Sequence, residues 1–439
     1  MKIKNSLHRN ILSIALPSIV SNITVPLLGL VDTAIVGHLG APAYIGAIAV
    51  GGMLFNMVYW LCGFLRMGTG GLVAQAYGAG AATERYRLLF RSLSVAGLLS
   101  LFLWIFQQPL LSLSLSWMNA SAEVRELATL YYRILIWGAP AVLGLYSFTG
   151  WFLGSQNARF PMWVAIVQNC TNILVSLFLV WGCGWKVEGV AMGTLVAQYA
   201  GIGTALLLWW RCYGHCLPKN LWAGIWQRER MLAFFRINRD IFLRTFCLVA
   251  VTTCFTAWGA KQGDVVLAVN ALLMQLFVLF SYVMDGFAYA GEALGGRYYG
   301  ARDRRRFTEM VACLFRWGWG LVGVFTIVYL LGGNVLLRVL TDDTTVISAA
   351  STYFPYAVLI PLVGFSAFLY DGIFIGCTYT RGMLVAMAGA ATVFFLVGGW
   401  GTVLLQPNHA LWTAFLLYLL VRGLIQWWFF KHKLVLLLQ

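Results

Sequence analysis

Charged side chains are scarce in this sequence: Asp, Glu, Lys and Arg make up 10% of its 439 residues, against about 25% in an ordinary soluble domain. Acids are scarcer than bases, with 15 Asp and Glu against 30 Lys and Arg. A chain that is 61% apolar has too little polar surface to coat a water-soluble particle. That excludes a soluble enzyme, a nucleic-acid-binding protein and a disordered protein. Alternating apolar strands are also missing, because the apolar runs are continuous, which argues against a transmembrane β-barrel. Metal-ligand spacing is absent too. Cys212, His215 and Cys216 lie close together but lack a second ligand pair, and no metal or cofactor is expected. The five histidines (His8, His38, His215, His409, His432) are scattered near span ends or in loops, so no enzyme is expected. No small-residue cleavage site closes a short apolar segment after the basic stretch 1–9, which reads as a tail before a retained first span.

What is present fits an all-α polytopic membrane protein. Twelve spans can be laid out near 11–37, 44–70, 87–107, 127–149, 160–181, 187–210, 241–261, 266–292, 310–331, 351–373, 383–403 and 409–430. A helix needs about 20 apolar residues to cross roughly 30 Å of hydrocarbon. Each span must be helical, since lipid offers no partner for backbone N–H and C=O. The expected domains are an N-terminal six-helix lobe at 1–210, a basic linker at 211–240 and a C-terminal six-helix lobe at 241–439. With the N-terminus inside, nearly all Lys and Arg fall in inside loops. Only Arg125, Arg133, Lys186, Lys261 and Arg338 fall outside, while Arg66 lies within a span and is the only base expected to be buried. Such asymmetry fits the positive-inside rule and places both termini in the cytoplasm. The net charge of +15 therefore has an ordinary home in cytoplasmic loops.

The two halves resemble each other at an offset of 222 residues. The stretch 74–79 (AQAYGA) lines up with 296–301 (GRYYGA), and Gly154 and Arg159 line up with Gly376 and Arg381. Six helices, a basic loop and six helices make two parallel repeats about an axis along the membrane normal. That architecture places a substrate path between the halves and suits alternating access.

Four acids lie within or at the ends of spans: Asp32, Asp285, Glu292 and Asp371. An ionised carboxylate at a helix centre costs about 2.5–3.5 kcal/mol on insertion scales. Burial disfavours the ionised form, which suits such a group to taking up a proton on one side and releasing it on the other. Asp32 follows Pro26 in the first span. Pro26 cannot donate to the carbonyl of Asn22, so a rung of the helix is open beside a titratable acid. Asn169, Asn172 and Ser176 share one face of the fifth span by their 3 and 4 spacing, and Thr194 and Gln198 are four apart on the sixth. These residues can line one cavity or glue helices together. In the second half, Asp285 and Glu292 are seven apart on one face, Asp371 ends the tenth span and Asn270 sits early in the eighth. Asp285 and Asp371 are candidates to hold a cation or to pair with Arg297 or Arg381.

The segment 15–40 (ALPSIVSNITVPLLGLVDTAIVGHLG) resembles the multidrug and toxic compound extrusion (MATE) family, in its DinF-type branch. The stretches 285–292 (DGFAYAGE) and 370–376 (YDGIFIG) resemble that branch as well. The resemblance covers nearly the whole chain. It implies twelve helices in two six-helix lobes around a V-shaped cleft, and export of organic cations in exchange for protons or sodium. It also implies that Asp32 takes part in ion coupling. Where the family often has a second acid on the fifth span, this chain has Ser176, and the family's Gly-Gln pair after span eight reads Gly296-Arg297. The missing acid tilts the reading toward protons. The expectation is a monomeric inner-membrane antiporter of a bacterium, embedded in the lipid bilayer, exporting amphipathic or cationic small molecules without contact to nucleic acid. Sodium coupling and a lipid-linked substrate flippase are the alternatives.

Overall fold

Long apolar runs fold into helices here for the reason membranes impose: each backbone donor finds its acceptor four residues back, within its own segment. The structure is a computed structural model that describes residues 2–37, 42–116, 121–218, 220–222, 224–403, 405–434 and 436. The helices are α1 (Lys2–Gly37), α2 (Pro42–Leu61), α3 (Phe64–Gly78), α4 (Ala82–Ile105), α5 (Gln107–Ser116), α6 (Ala122–Leu135), α7 (Ala139–Gly154), α8 (Arg159–Leu177) and α9 (Val187–Tyr213). They continue as α10 (Arg228–Ala260), α11 (Asp264–Gly300), α12 (Arg304–Leu340), α13 (Thr344–Gly376), α14 (Thr380–Trp400) and α15 (Pro407–Phe429). No strand occurs among the described residues. Eleven helical segments are long and apolar enough to cross a membrane. α1, at 36 residues, matches the first of the twelve spans read from the sequence.

Two spans are interrupted. The second is split at Cys62 and Gly63, where tighter bonds (Gly63 N–H to Trp60 C=O, 3.1 Å) replace one regular turn. The fourth is split between α6 and α7, where Pro140 follows the short 3-10 segment Ile136–Gly138. Proline withholds the N–H that the Ile136 carbonyl would otherwise receive four residues on. That carbonyl accepts instead from the backbone N–H of Ala139 and from the indole Nε1–H of Trp104, the latter at 3.0 Å.

The chain divides into two units. One comprises 20–77 and 81–235; the other comprises 1–19, 78–80 and 236–439. The first part of α1 thus belongs with the C-terminal helices, and the C-terminal unit starts at 236 rather than 241. Within each unit the repeat is visible as matched contacts. In the first unit, a Cβ on Gly150 would lie 2.3 Å from the Arg66 carbonyl oxygen, and one on Gly154 2.5 Å from that of Gly70. In the second, Gly372 stands in the same relation to Ala288 (2.0 Å) and Gly376 to Glu292 (2.3 Å). Every one of these residues is displaced by 222 from its counterpart. The turns after these helices also match: Gln156 and Thr378 both have positive φ, as do Gly80 and Arg302. Small residues that let helix backbones touch are the usual device for packing helices in lipid, where apolar burial supplies little drive.

Large apolar side chains are exposed along the outer faces, such as Leu331 (84%) and Leu174 (68%). On a soluble protein such faces would be a liability; in a bilayer they meet acyl chains.

Candidate functional site

In the first unit, the buried polar residues of α1, α8 and α9 converge. Asp32 is 5% exposed, and its helix contributes Ile35 and Val36 to a buried apolar cluster that includes Phe55, Tyr131 and Val190. Thr194 Oγ1 stands 3.4 Å from Asp32 Oδ2 and 3.0 Å from the Val190 carbonyl. A hydroxyl has one proton, and the shorter contact is to the carbonyl, so its bond to the carboxylate is weak. Asn172 Nδ2 donates to Thr194 Oγ1 at 2.9 Å. Asn169, on the next face of α8, instead donates to the Thr24 carbonyl at 3.1 Å and so ties α8 to α1 just before position 26. Asn22 lies half-buried on α1. The helix runs continuously past Pro26, whose ring lies outside the described side chains.

This group is under-bonded. Asp32 Oδ1, Asn172 Oδ1, Ser176 Oγ and Gln198 Oε1 are all buried and find no hydrogen-bond partner among the described residues. Orphaned buried polar atoms are rare in folded proteins and costly, about 1–3 kcal/mol each. Two glycines shape the group. Ser176 Oγ would be 2.1 Å from a Cβ on Gly193, and Gln198 Oε1 1.7 Å from one on Gly138. Among the described residues, no Lys or Arg forms an ion pair with Asp32. Asn172, Thr194 and Asp32 form one chain of contacts, Ser176 packs against Gly193 beside Thr194, and Gln198 sits one turn further along α9.

The second unit treats its acids differently. Asp371 accepts from the guanidinium groups of Arg244 on α10 and Arg422 on α15 and from the side-chain amide of Gln426. All four residues are buried. Arg422 also lies 5.9 Å over the Phe368 ring. Asp285 is half-buried and close enough to feel both guanidinium charges. The partners expected for Asp371, Arg297 and Arg381, are therefore replaced by Arg244 and Arg422. A cation at Asp371 would have to displace two fixed positive charges. Glu292 is fully buried, and its main-chain carbonyl packs against Gly376. Asn270 joins helices: its Nδ2 donates to Asn408 Oδ1 and its Oδ1 accepts from Trp412 Nε1, both at 2.8 Å.

Arg66 is buried, but it is not the sole buried base: Arg91, Arg244 and Arg422 are buried as well. Arg422 and Gln426 are four apart on an apolar helix, a spacing that signals a shared polar face. Arg244 sits past the first turns of its helix, where only the tertiary partner distinguishes it from the basic linker.

A model of the MatE family matches this chain twice, at residues 17–178 and 241–400. The two blocks follow the internal repeat. The chain is 39% identical over 419 residues to DNA damage-inducible protein F of Escherichia coli K12, covering 94% of this chain and 89% of that protein. It is 24% identical to a probable multidrug resistance protein NorM of Thermotoga maritima, covering 78% of this chain and 74% of the other. Among solved structures, a MATE transporter of Vibrio cholerae superposes with a TM-score of 0.86 at 18% identity, covering 99% of this chain and 100% of that one. The helix order, the 222-residue repeat and the twofold family match lead to one assignment: this chain is a multi-pass membrane protein of the multidrug and toxic compound extrusion family.

Proposed function

We propose that the protein exports amphipathic organic cations by antiport with protons, using Asp32 as the coupling group. The observation that carries this reading is a buried carboxylate with a weak bond from Thr194 and, among the described residues, one unpartnered oxygen and no cationic partner. Such a group is held ready for an added positive charge. A proton arriving from outside neutralises Asp32 and removes the cost of a bare charge in a low dielectric. Loss of that charge changes which groups attract Asp32 and releases α1 to bend at the rung that Pro26 leaves open. Substrate then leaves outward, and deprotonation toward the cytoplasm resets the helix. The membrane potential adds about 2.3 kcal/mol per charge per 100 mV to the inward drive on a proton. The multidrug resistance label of the Thermotoga relative supports the substrate class. A bacterial inner membrane and a monomer complete the reading.

Proteoliposomes carrying the wild-type chain should export ethidium when the lumen and bath differ in pH. The Asp32→Asn chain should lose at least tenfold of that rate while keeping its monodisperse elution. Retained pH-driven export in the variant would reject the proposal. Sodium coupling is the second reading, favoured by the unpartnered oxygens of Asn172 and Ser176 beside the acid, which are the hard ligands that a small cation takes. A sodium gradient at equal pH separates the two: it drives export only under the second.

A further inference from the structure

At the end of the C-terminal unit where α13 turns into α14, a cavity of about 500 Å³ opens among Arg236, Arg239, Asp240, Tyr379, Thr380 and Arg381. Three guanidinium groups and a single carboxylate line it. That carboxylate is already committed. Asp240 is 4% exposed; its Oδ1 accepts from Arg239 Nε (3.2 Å) and Nη2 (2.9 Å), and its Oδ2 from Thr380 Oγ1 (3.3 Å). Arg236 and Arg381 are exposed and have no acidic partner within 4.0 Å among the described residues. α14, which is 21 residues long, begins at Thr380 with no side-chain cap. Its first amides thus lack an intrahelical acceptor, and the positive end of the helix lies at the cavity wall.

A topological role for the arginines does not explain their arrangement. Loop arginines that only set orientation need no concave surface. The four of the α11–α12 turn stand exposed, and two of them find acids locally, Arg305 with Glu309 (3.1 Å) and Arg306 with Asp303 (3.4 Å). The repeat sharpens the contrast. Residues 10–20, the counterpart of this part of α10 in the first half, carry no charged side chain at all. The α10 side of the cavity is therefore an addition to one half, whereas Arg381 has its counterpart in Arg159.

We infer that this cavity binds a phosphate-bearing anion. Guanidinium forks match phosphate oxygens two at a time. The volume falls in the range of small-ligand sites. Basic pockets between membrane helices at the cytoplasmic face are known to take anionic headgroups. The same chemistry is carried by a lipid headgroup and by a soluble phosphate compound. Binding does not involve Asp32, so its failure would leave the coupling proposal untouched.

The test uses the full-length protein purified in a non-ionic detergent free of phosphate. One arm titrates inorganic pyrophosphate by calorimetry. The other counts retained lipid by native mass spectrometry from nanodiscs of phosphatidylglycerol against nanodiscs of phosphatidylcholine. Two altered cavities are compared with wild type: the pair Arg236→Gln with Arg381→Gln, and Leu384→Trp, which fills the space and keeps every charge. The pair Arg304→Gln with Arg305→Gln removes the same charge from another loop. Binding in either arm that weakens at least tenfold in both altered cavities, and less than twofold in the loop pair, supports the site; the responding arm names the source. Absence of binding in both arms overturns it. So does equal loss in the loop pair, or binding that survives either altered cavity.

Discussion

At the scale of single residues, the geometry assigns opposite roles to two acids that look alike in the sequence. Asp32 and Asp371 both lie deep in apolar helices, yet one has a threonine hydroxyl at 3.4 Å and the other has two guanidinium partners. Replacing Asp371 by Asn leaves Arg244 and Arg422 buried without a countercharge. Breaking a buried pair in this way costs about 3–5 kcal/mol, so the variant should melt well below wild type while any export it retains keeps its pH dependence. Asp32→Asn should do the reverse, leaving the melting temperature nearly unchanged or raised, because it removes an uncompensated buried charge. Thermal melts in detergent and vesicle export on the same preparations check both. Gly193 makes a further case. A methyl group there meets Ser176 Oγ at 2.1 Å and the Ser176 main-chain nitrogen at 2.9 Å. Gly193→Ala should therefore cost about 1–3 kcal/mol by overpacking and lower the melting temperature. Adding Ser176→Ala should recover part of that loss, since the oxygen is the nearest obstacle but not the sole one.

At the scale of helices, glycine–carbonyl contacts do much of the work that burial of apolar surface does in water. Gly150 and Gly154 hold α7 against α3, and Gly372 and Gly376 hold α13 against α11. Backbone cannot step aside as a flexible side chain can. Gly150→Ala and Gly372→Ala are thus expected to be destabilising to a similar degree, with sharply reduced yield of folded protein by fluorescence-detected size exclusion. A tolerant response at both positions would contradict these contacts. The interrupted helices follow the same logic of full hydrogen bonding. Trp104 stands in for the donor that Pro140 lacks, and Trp104→Phe should weaken the α6–α7 junction by about 1 kcal/mol, the ordinary net value of a hydrogen bond, read as a lowered melting temperature.

At the scale of the molecule, free cysteines report orientation. Cys183 is exposed between α8 and α9, and Cys212 and Cys216 are exposed near the end of α9. With the N-terminus inside, a membrane-impermeant maleimide added to intact cells should label Cys183 and spare Cys212 and Cys216. Permeabilisation should expose the latter two. Single-cysteine variants followed by mass spectrometry distinguish them, and the opposite pattern would invert the topology.

The sequence by itself determined the helix count, the repeat and the membrane setting. Those follow from run length, from identity at a fixed offset and from the distribution of Lys and Arg, which are properties of a one-dimensional string. It also singled out Asp32, because an acid beside a proline in an apolar run is rare enough to stand out. Tertiary structure decided the rest. Nothing in the string says that Asp371 is paired with guanidinium groups and Asp32 is not, since the partners Arg244 and Arg422 are 127 and 51 residues away from Asp371 in sequence. The same holds for the cavity at Arg236 and Arg381, which a single turn of the second unit brings together across more than a hundred residues. The physical reason is the range of the forces involved. Partition into lipid acts on each segment separately and is legible locally. Whether a buried charge is paired depends on which helices fold against it.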